Sequence, residues 1–252
     1  MSKPIHHNGI DGTETFCRTS RLLAALALFG TAALVPSTAV LASPTRVDQL
    51  VRTALQLDAN PQRGEKIYAE HCASCHGAAA LGDARNVIPA LAGQRQAYLV
   101  KQLADFAELE RQGNEMHKVV AKAALNEPQV WADLSAFLSA TPPTRIPETA
   151  DGGGVELGEA IFQEQCSSCH EEDARGDDDG FIPSLRDQHY SYLVRQMRSL
   201  AASHRLNVDA DLVRFLDSFD ADEITAVADY LSRLRGASRD RSKLDQDGSV
   251  RN

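Results

Sequence analysis

The pattern Cys-x-x-Cys-His occurs twice in this chain of 252 residues, at Cys72–His76 and at Cys166–His170. Such a pattern attaches haem covalently, because two sulfurs add to the two vinyl groups of the porphyrin and the adjacent histidine ligates the iron. Two copies therefore predict two covalently bound haem c groups. The predicted attachment residues are Cys72, Cys75, Cys166 and Cys169, and the predicted proximal iron ligands are His76 and His170.

Zinc binding and thiol redox chemistry are the alternatives for these cysteines. Cysteine pairs that share a zinc ion are usually separated by about 15–20 residues, far less than the separation of the two motifs. A redox-active Cys-x-x-Cys does not need the following histidine. Both alternatives therefore fit the sequence less well than haem attachment.

The N-terminal segment has the layout of a secretory signal peptide. Two arginines precede an apolar run from Leu22 to Val35, and a small-residue sequence suited to cleavage ends at Ala42. We therefore predict a signal peptide over residues 1–42 and export to the periplasm. The alternative is an uncleaved anchor, because the apolar segment approaches the length of a bilayer span, although Pro36 interrupts it.

Residues around the two motifs repeat at a constant offset of 94, which indicates one domain present twice. The matched pairs include Gly64 and Gly158, Tyr68 and Phe162, Pro89 and Pro183, Gln94 and Gln188, Tyr98 and Tyr192, and Gln102 and Gln196. The predicted organisation is a first domain over 43–140, a Pro- and Gly-rich linker over 141–154, a second domain over 155–236 and a disordered polar tail over 237–252.

Helical periodicity and capping residues predict an all-α fold with a small helical shell around each haem. In the first half the predicted helices are 61–71, 94–110 and 127–140. In the second half they are 155–165, 188–203 and 221–234, the last with Asp220 as its N-cap.

The two halves differ in charge. Residues 43–145 contain 11 basic and 11 acidic side chains, whereas residues 146–252 contain 12 basic and 22 acidic ones. Six of these acids follow the second motif closely, at Glu171, Glu172, Asp173, Asp177, Asp178 and Asp179. They form either a solvated acidic loop or a docking face for a basic redox partner. The negative balance argues against binding of nucleic acid.

These motifs and the residues between them resemble the diheme class I cytochromes c, in particular the cytochrome c4 type. The resemblance covers about residues 60 to 235 and includes Pro89–Gln94 with the later Tyr-Leu and Gln-Leu pairs. It implies two tandem class I cytochrome c domains, in which the glycine and aromatic of the first helix pack against the last helix. The implied contacts join Gly64 and Tyr68 to Phe137, and Gly158 and Phe162 to Tyr230. The carbonyls of Pro89 and Pro183 are implied to accept hydrogen bonds from the ring N–H groups of His76 and His170.

The resemblance also implies a methionine as sixth iron ligand, from a loop after the third helix. Met116 stands at the expected place in the first domain, and we predict that it binds haem 1. The neighbouring His117 is expected at the surface.

The second domain departs from this pattern, because the position that matches Met116 is Ala210. His204 is the first candidate for the sixth ligand of haem 2, with Met197, Asn207 and an open or water-bound site as alternatives. Core packing is also a reasonable role for Met197, which matches Leu103, and His189 is expected in a loop.

The resemblance implies an electron-transfer protein that exchanges electrons with periplasmic or membrane redox partners, and not an enzyme. Membrane contact would arise only through a partner or an uncleaved leader. Two alternatives stay open. An open haem 2 could bind or transform peroxide, nitric oxide or a sulfur oxyanion, or the chain could be the cytochrome subunit of a dehydrogenase complex.

Overall fold

The structure is a computed structural model that describes residues 44–111, 114–122, 124–143, 148–203 and 208–236. The signal-peptide prediction and the predicted tail over 237–252 lie outside these ranges. In the first half the helices are α1 (Arg46–Gln56), α2 (Pro61–His71), α3 (Ala73–His76), α4 (Gln96–Ala107), α5 (Asn114–Val120) and α6 (Pro128–Ala140). In the second half they are α7 (Val155–Ile161), α8 (Ser167–His170), α9 (Tyr190–Ala201), α10 (Ala210–Asp217) and α11 (Ala221–Arg233), with a π-helical turn at Phe162–Cys166 between α7 and α8.

The all-α prediction is confirmed, since the described ranges contain no β-strand, only two isolated bridges. All six predicted helices are present, with 61–71 reproduced at both ends and the other ends shifted by no more than four residues. Asp220 caps α11 as expected, because its carboxylate accepts from the backbone N–H groups of Asp222 and Glu223. None of these helices combines the length and the apolar character that crossing a bilayer requires.

In each half the helix that leads into the haem motif, α2 or α7, crosses the last helix, α6 or α11, at a glycine. A Cβ on Gly64 would overlap the carbonyl oxygen of Asp133 in α6, and one on Gly158 would overlap that of Ala226 in α11. Tyr68 and Phe137 then pack with ring centroids 5.6 Å apart, which confirms the contact that the resemblance implied.

The second half repeats this contact with different aromatic residues. Phe162 and Tyr230 lie with ring centroids 5.7 Å apart at nearly the same tilt, and Phe162 is completely buried. The contact implied for Gly158, Phe162 and Tyr230 is therefore also confirmed.

Besides α3 and α8, the short turns of the two motifs, three helices were not predicted from the sequence, namely α1, α5 and α10. The first precedes the repeat and has no counterpart in the second half. Its buried residues Val47, Val51 and Ala54 pack against Val100 and Trp131, so α1 covers α4 and α6. Helix α5 lies between α4 and α6, and helix α10 lies between α9 and α11, where the sequence suggested a loop.

A buried carboxylate on each last helix anchors the chain that enters the first helix. Asp133 accepts from the backbone N–H of Asn60 at 2.7 Å and from the guanidinium of Arg63. In the second half Asp229 accepts from the N–H groups of Gly152 and Gly154. These bonds fix where α2 and α7 begin.

The two halves are joined by reciprocal hydrogen bonds between matched glutamines and backbone. The Gln94 side chain donates to the carbonyl of Ser184 at 2.9 Å and accepts from its N–H at 2.8 Å. The Gln188 side chain does the same with Ala90, at 3.0 and 2.9 Å. Because Ala90 and Ser184 also differ by 94 in number, the interface has approximate twofold symmetry.

A second matched pair in the interface differs in chemistry. Arg95 donates to the carbonyls of Arg175 and Gly176, whereas the matched His189 donates from Nε2 to the carbonyl of Leu81 at 2.8 Å. His189 lies in the loop before α9, as expected, and is the N-cap residue of that helix. Its side chain is buried, because the N-terminus of α9 packs against the first half.

Replacing Gly64 by alanine tests the helix crossing. Alanine normally stabilises a helix interior relative to glycine by about 1 kcal/mol, but here the added methyl group would push α2 away from α6. We expect the Gly64→Ala variant of the haem-loaded protein to lose about 3 kcal/mol in urea unfolding. The control is Gly153→Ala, whose Cβ would meet only a carboxylate oxygen of Asp151 at 3.4 Å. Equal stability of the two variants would contradict the close crossing.

Replacing Gln188 by glutamate tests the interface. The carboxylate cannot donate to the carbonyl of Ala90, and burial disfavours its charge. We expect Gln188→Glu to destabilise the protein by about 2–3 kcal/mol in thermal unfolding at neutral pH. The matched control is Gln62→Glu, because Gln62 is exposed on α2. An unchanged unfolding temperature for Gln188→Glu would mean that these bonds do not hold the halves together.

Candidate haem sites

Each Cys-x-x-Cys-His motif folds as a single helical turn that begins at its first cysteine. Cys72 caps α3 and Cys166 caps α8, so the two cysteines of each motif stand three residues apart along the turn. Residues at this spacing lie on the same face of a helix. Cys75 and Cys169 are exposed and their partners are half-buried, and all four thiols are free. Each pair can therefore reach one edge of a flat ligand.

The two motif histidines make the same hydrogen bond. His76 Nδ1 donates to the carbonyl of Pro89 at 3.1 Å, and His170 Nδ1 donates to that of Pro183 at 3.2 Å. Both bonds were implied by the resemblance and are confirmed. Since a carbonyl oxygen only accepts, each Nδ1 carries the proton and each Nε2 keeps a lone pair for a metal.

Burial lowers the pKa of both histidines, although the bond to the proline carbonyl acts in the opposite direction. The imidazoles are therefore neutral near pH 7, as iron ligation requires. Burial, followed by the charge of the second thiol, raises the pKa of Cys72 and of Cys166 to about 11. These two thiols are protonated near pH 7, unlike the thiolates of redox-active Cys-x-x-Cys motifs.

A tight loop brings each proline back to its histidine. Gly82, at a φ of +73°, donates its N–H to the carbonyl of His76 at 2.9 Å. Asp83 and Ile88 then exchange two backbone hydrogen bonds, which positions Pro89 directly after the bridge. The second half repeats these contacts with Gly176, Asp177 and Ile182. Glycine is required at both turns, because a Cβ would overlap the carbonyl oxygen of the isoleucine.

The donor set fits haem c at both motifs. Each motif combines two thiols on one face with a neutral imidazole whose Nε2 is available and whose ring is oriented by a carbonyl. Covalent haem supplies reversible one-electron chemistry at its iron. The protein residues orient the histidine and expose the edge that carries Cys75 or Cys169.

The structure places Met116 on α5 and not in the loop that the sequence suggested. Its side chain is half-buried. Two contacts stabilise α5 against the rest of the domain. His117 Nδ1 donates to the carbonyl of Phe106 at 2.8 Å, and Val120 at the end of the helix is buried. His117 remains partly exposed, although its ring is hydrogen-bonded to Phe106.

The candidates for the sixth ligand of haem 2 differ in what the structure shows of them. Ala210, which matches Met116, is the exposed first residue of α10. Met197 lies on α9 and packs against the apolar core of the second half with Leu193 and Phe162. His204 and Asn207 lie outside the described residues.

The acidic run after the second motif divides into paired and unpaired groups. Glu171 is bridged by Arg175 at 3.2 Å, and Asp173 by Arg186 at 3.1 Å. Asp178 belongs to the interface, where it accepts from the backbone N–H of Ala97 and pairs with Arg95. Glu172 and Asp179 are exposed, and Glu172 lines the same surface as Ser167 and Ser168 of the motif. The matching surface of the first half has Ala78 and Ala79 at the positions of Glu172 and Asp173.

Comparison with known proteins identifies the fold and the type of cofactor. The sequence profile of the family "Cytochrome c" matches residues 61–141 and again residues 155–235. A thiosulfate dehydrogenase electron acceptor from Stutzerimonas stutzeri (strain A1501) is 31% identical over 198 residues, which are 71% of this chain and 90% of that protein.

Two solved structures share the architecture. Reduced recombinant cytochrome c4 from Pseudomonas stutzeri superposes with a TM-score of 0.63 at 25% identity, over 71% of this chain and 100% of that one. The thiosulfate dehydrogenase of Marichromatium purpuratum superposes with a TM-score of 0.60 at 28% identity, over 71% of this chain and 42% of the larger one. The chain belongs to the cytochrome c family, as a diheme electron carrier of the cytochrome c4 type with two covalently bound haem c groups.

Proposed function

We propose that this chain is an exported, periplasmic electron carrier whose two haem sites are chemically different. Haem 1 is attached through Cys72 and Cys75 and ligated by His76 and Met116. Haem 2 is attached through Cys166 and Cys169 and is ligated by His170. Its sixth ligand is not a methionine that matches Met116, because that position is Ala210. The matched proline–histidine bonds, which leave both Nε2 atoms available for iron, support two haem sites, and the exchange of Met116 for Ala210 at the matched position supports the difference between them.

The difference at the sixth position makes the two irons unequal. Methionine ligation favours ferrous iron and raises the reduction potential, whereas a second histidine or water does not favour it to the same degree. Haem potentials vary over about 0.8 V with the axial ligand, so a single exchanged ligand is sufficient to separate the two. Electrons entering at haem 2 would then move downhill to haem 1.

The partners are redox proteins. Similarity to an electron acceptor of thiosulfate dehydrogenase supports a dehydrogenase as the electron donor, either as a transient partner or within one complex. We propose that the acidic edge of the second domain, formed by Glu171, Glu172, Asp173 and Asp179, docks a basic partner surface. Two of these acids already have arginine partners, so the attraction depends mainly on Glu172 and Asp179.

Replacing Met116 by leucine tests the ligation of haem 1. The oxidised wild-type protein should show the weak far-red absorption band of methionine-bound ferric haem. Met116→Leu should lose this band, and the reduction potential of haem 1 should fall. The matched control is Met197→Leu, which places in α9 the residue that α4 has at the matching position. We expect this control to keep the band.

The same samples test haem 2. If the band persists in Met116→Leu, the proposed ligand is wrong, and a band lost only in Met197→Leu would assign methionine to haem 2 instead. Addition of carbon monoxide to the reduced wild-type protein completes the test. An adduct on half of the haem would favour the open-site alternative, in which haem 2 binds a small ligand.

Neutralising the two unpaired acids tests the docking surface. We expect Glu172→Gln with Asp179→Asn to slow electron transfer to a basic monohaem cytochrome about 3- to 10-fold at low ionic strength, because the steering field weakens. The difference should vanish at high salt, where charges are screened. The control removes the same charge from the first domain by Glu65→Gln with Glu70→Gln, both exposed on α2. Equal slowing by both pairs would show that only net charge matters.

A further inference from the structure

A buried arginine lies between the two domains, outside both haem motifs. Arg111 is only 8% exposed. Its guanidinium donates to Gln102 Oε1 in its own domain, and to Tyr192 Oη and Gln196 Oε1 in the second domain, the last two at 3.0 Å each. Burial of a permanently charged group is costly unless its donors are paired. This cation therefore holds the two domains together at one point.

The partners of Arg111 come from matched helices. Gln102 on α4 and Gln196 on α9 occupy equivalent positions in the repeat, as do Tyr98 and Tyr192. By the family resemblance, these helices line the side of each haem opposite the motif histidine. The guanidinium therefore connects the walls of the two haem sites on which the sixth ligands lie.

On the side of the first domain, Arg111 and the helix that carries Met116 both contact Phe106. Its backbone N–H donates to the carbonyl of Asp105 at 3.2 Å, and its guanidinium lies 4.6 Å from the ring centroid of Phe106. The carbonyl of Phe106 in turn accepts from His117, the neighbour of Met116. The end of α4 is thus contacted by Arg111 on one side and by His117 of α5 on the other.

On the side of the second domain, the contacts reach the core. Gln196 precedes Met197, and the Met197 side chain packs against the core cluster that includes Phe162 and Leu193. A displacement of α9 would therefore move the acceptors of the Arg111 guanidinium.

We propose that Arg111 is a positioning residue through which the second domain holds the Met116 helix against haem 1. The inference rests on the proposed ligation of haem 1 by Met116. Methionine binding in the first domain then depends on hydrogen bonds supplied by the second domain. Loss of these bonds frees the start of α5, and methionine then yields more readily to another ligand.

The sharpest test changes a residue in the second domain and observes haem 1 in the full-length, haem-loaded protein. Tyr192→Phe removes one acceptor of Arg111, and Tyr98→Phe removes the matched hydroxyl, which makes no hydrogen bond to Arg111 within the described structure. Imidazole is added to the oxidised protein until the methionine band is half lost. One hydrogen bond to a charged group corresponds to about a tenfold change in equilibrium, so Tyr192→Phe should require about tenfold less imidazole than wild type, and Tyr98→Phe the same amount as wild type.

Two substitutions of Arg111 separate its geometry from its charge. Arg111→Lys keeps the charge but loses the planar fork, and we expect it to need about tenfold less imidazole. Arg111→Gln loses both, and should need less still. A lysine variant that behaves as wild type overturns the positioning role, since the charge alone would then be sufficient.

The remaining outcomes also decide the question. If Tyr192→Phe and the folded Arg111 variants all resist imidazole as the wild type does, the inference is wrong, whereas the ligation by Met116 stands. If the wild-type protein lacks the band, the proposed ligation fails and this inference fails with it. Should Arg111→Gln not fold, the Tyr192→Phe result still decides the matter.

Discussion

The contact of α2 with α6, and of α7 with α11, is the constraint on which the rest of the structure depends. Gly64 and Gly158 bring backbone against backbone, at a distance that no other residue allows. Once the helices cross there, the aromatic residue one turn later meets its partner on the last helix. The haem motif begins directly beyond that aromatic, so the crossing determines where the cysteines and the proximal histidine stand. The carboxylates of Asp133 and Asp229 fix the start of the first helix in the same way.

The parts of the fold that repeat could be predicted from the sequence. Matched residues at a constant offset revealed two domains, and helical periodicity located their main helices. The proline–histidine bonds and the aromatic pairs followed from the family resemblance, because they depend on single residues within motifs. These features have in common that they depend on residues of the repeat or of the family motifs.

Features that depend on contacts made by residues outside these motifs could not be predicted. Helix α1 has clear amphipathic character, but only its packing on α4 and α6 explains why it is stable there. His189 and Arg111 look like ordinary surface residues in the sequence, and both are buried because the domains dock. Met116 was assigned to a loop, since a short polar segment carries no sign of the bond from His117 to Phe106 that makes it helical.

The repeat is most faithful where the chain holds the proximal histidine and least faithful on the opposite side. The glycine turn, the proline carbonyl and the reciprocal glutamine bonds are present in both domains with nearly equal distances. By contrast, Met116 is replaced by Ala210, and neutral residues at the first haem edge are replaced by acids at the second. A duplicated domain can keep its scaffold and still obtain two different irons, because the sixth ligand and the exposed edge contribute little to the helix crossings. Arg111 is the exception, since it lies on the side that diverges and also joins the domains. If Arg111 positions the Met116 helix as proposed, any change in α9 that alters the second haem site also affects the first.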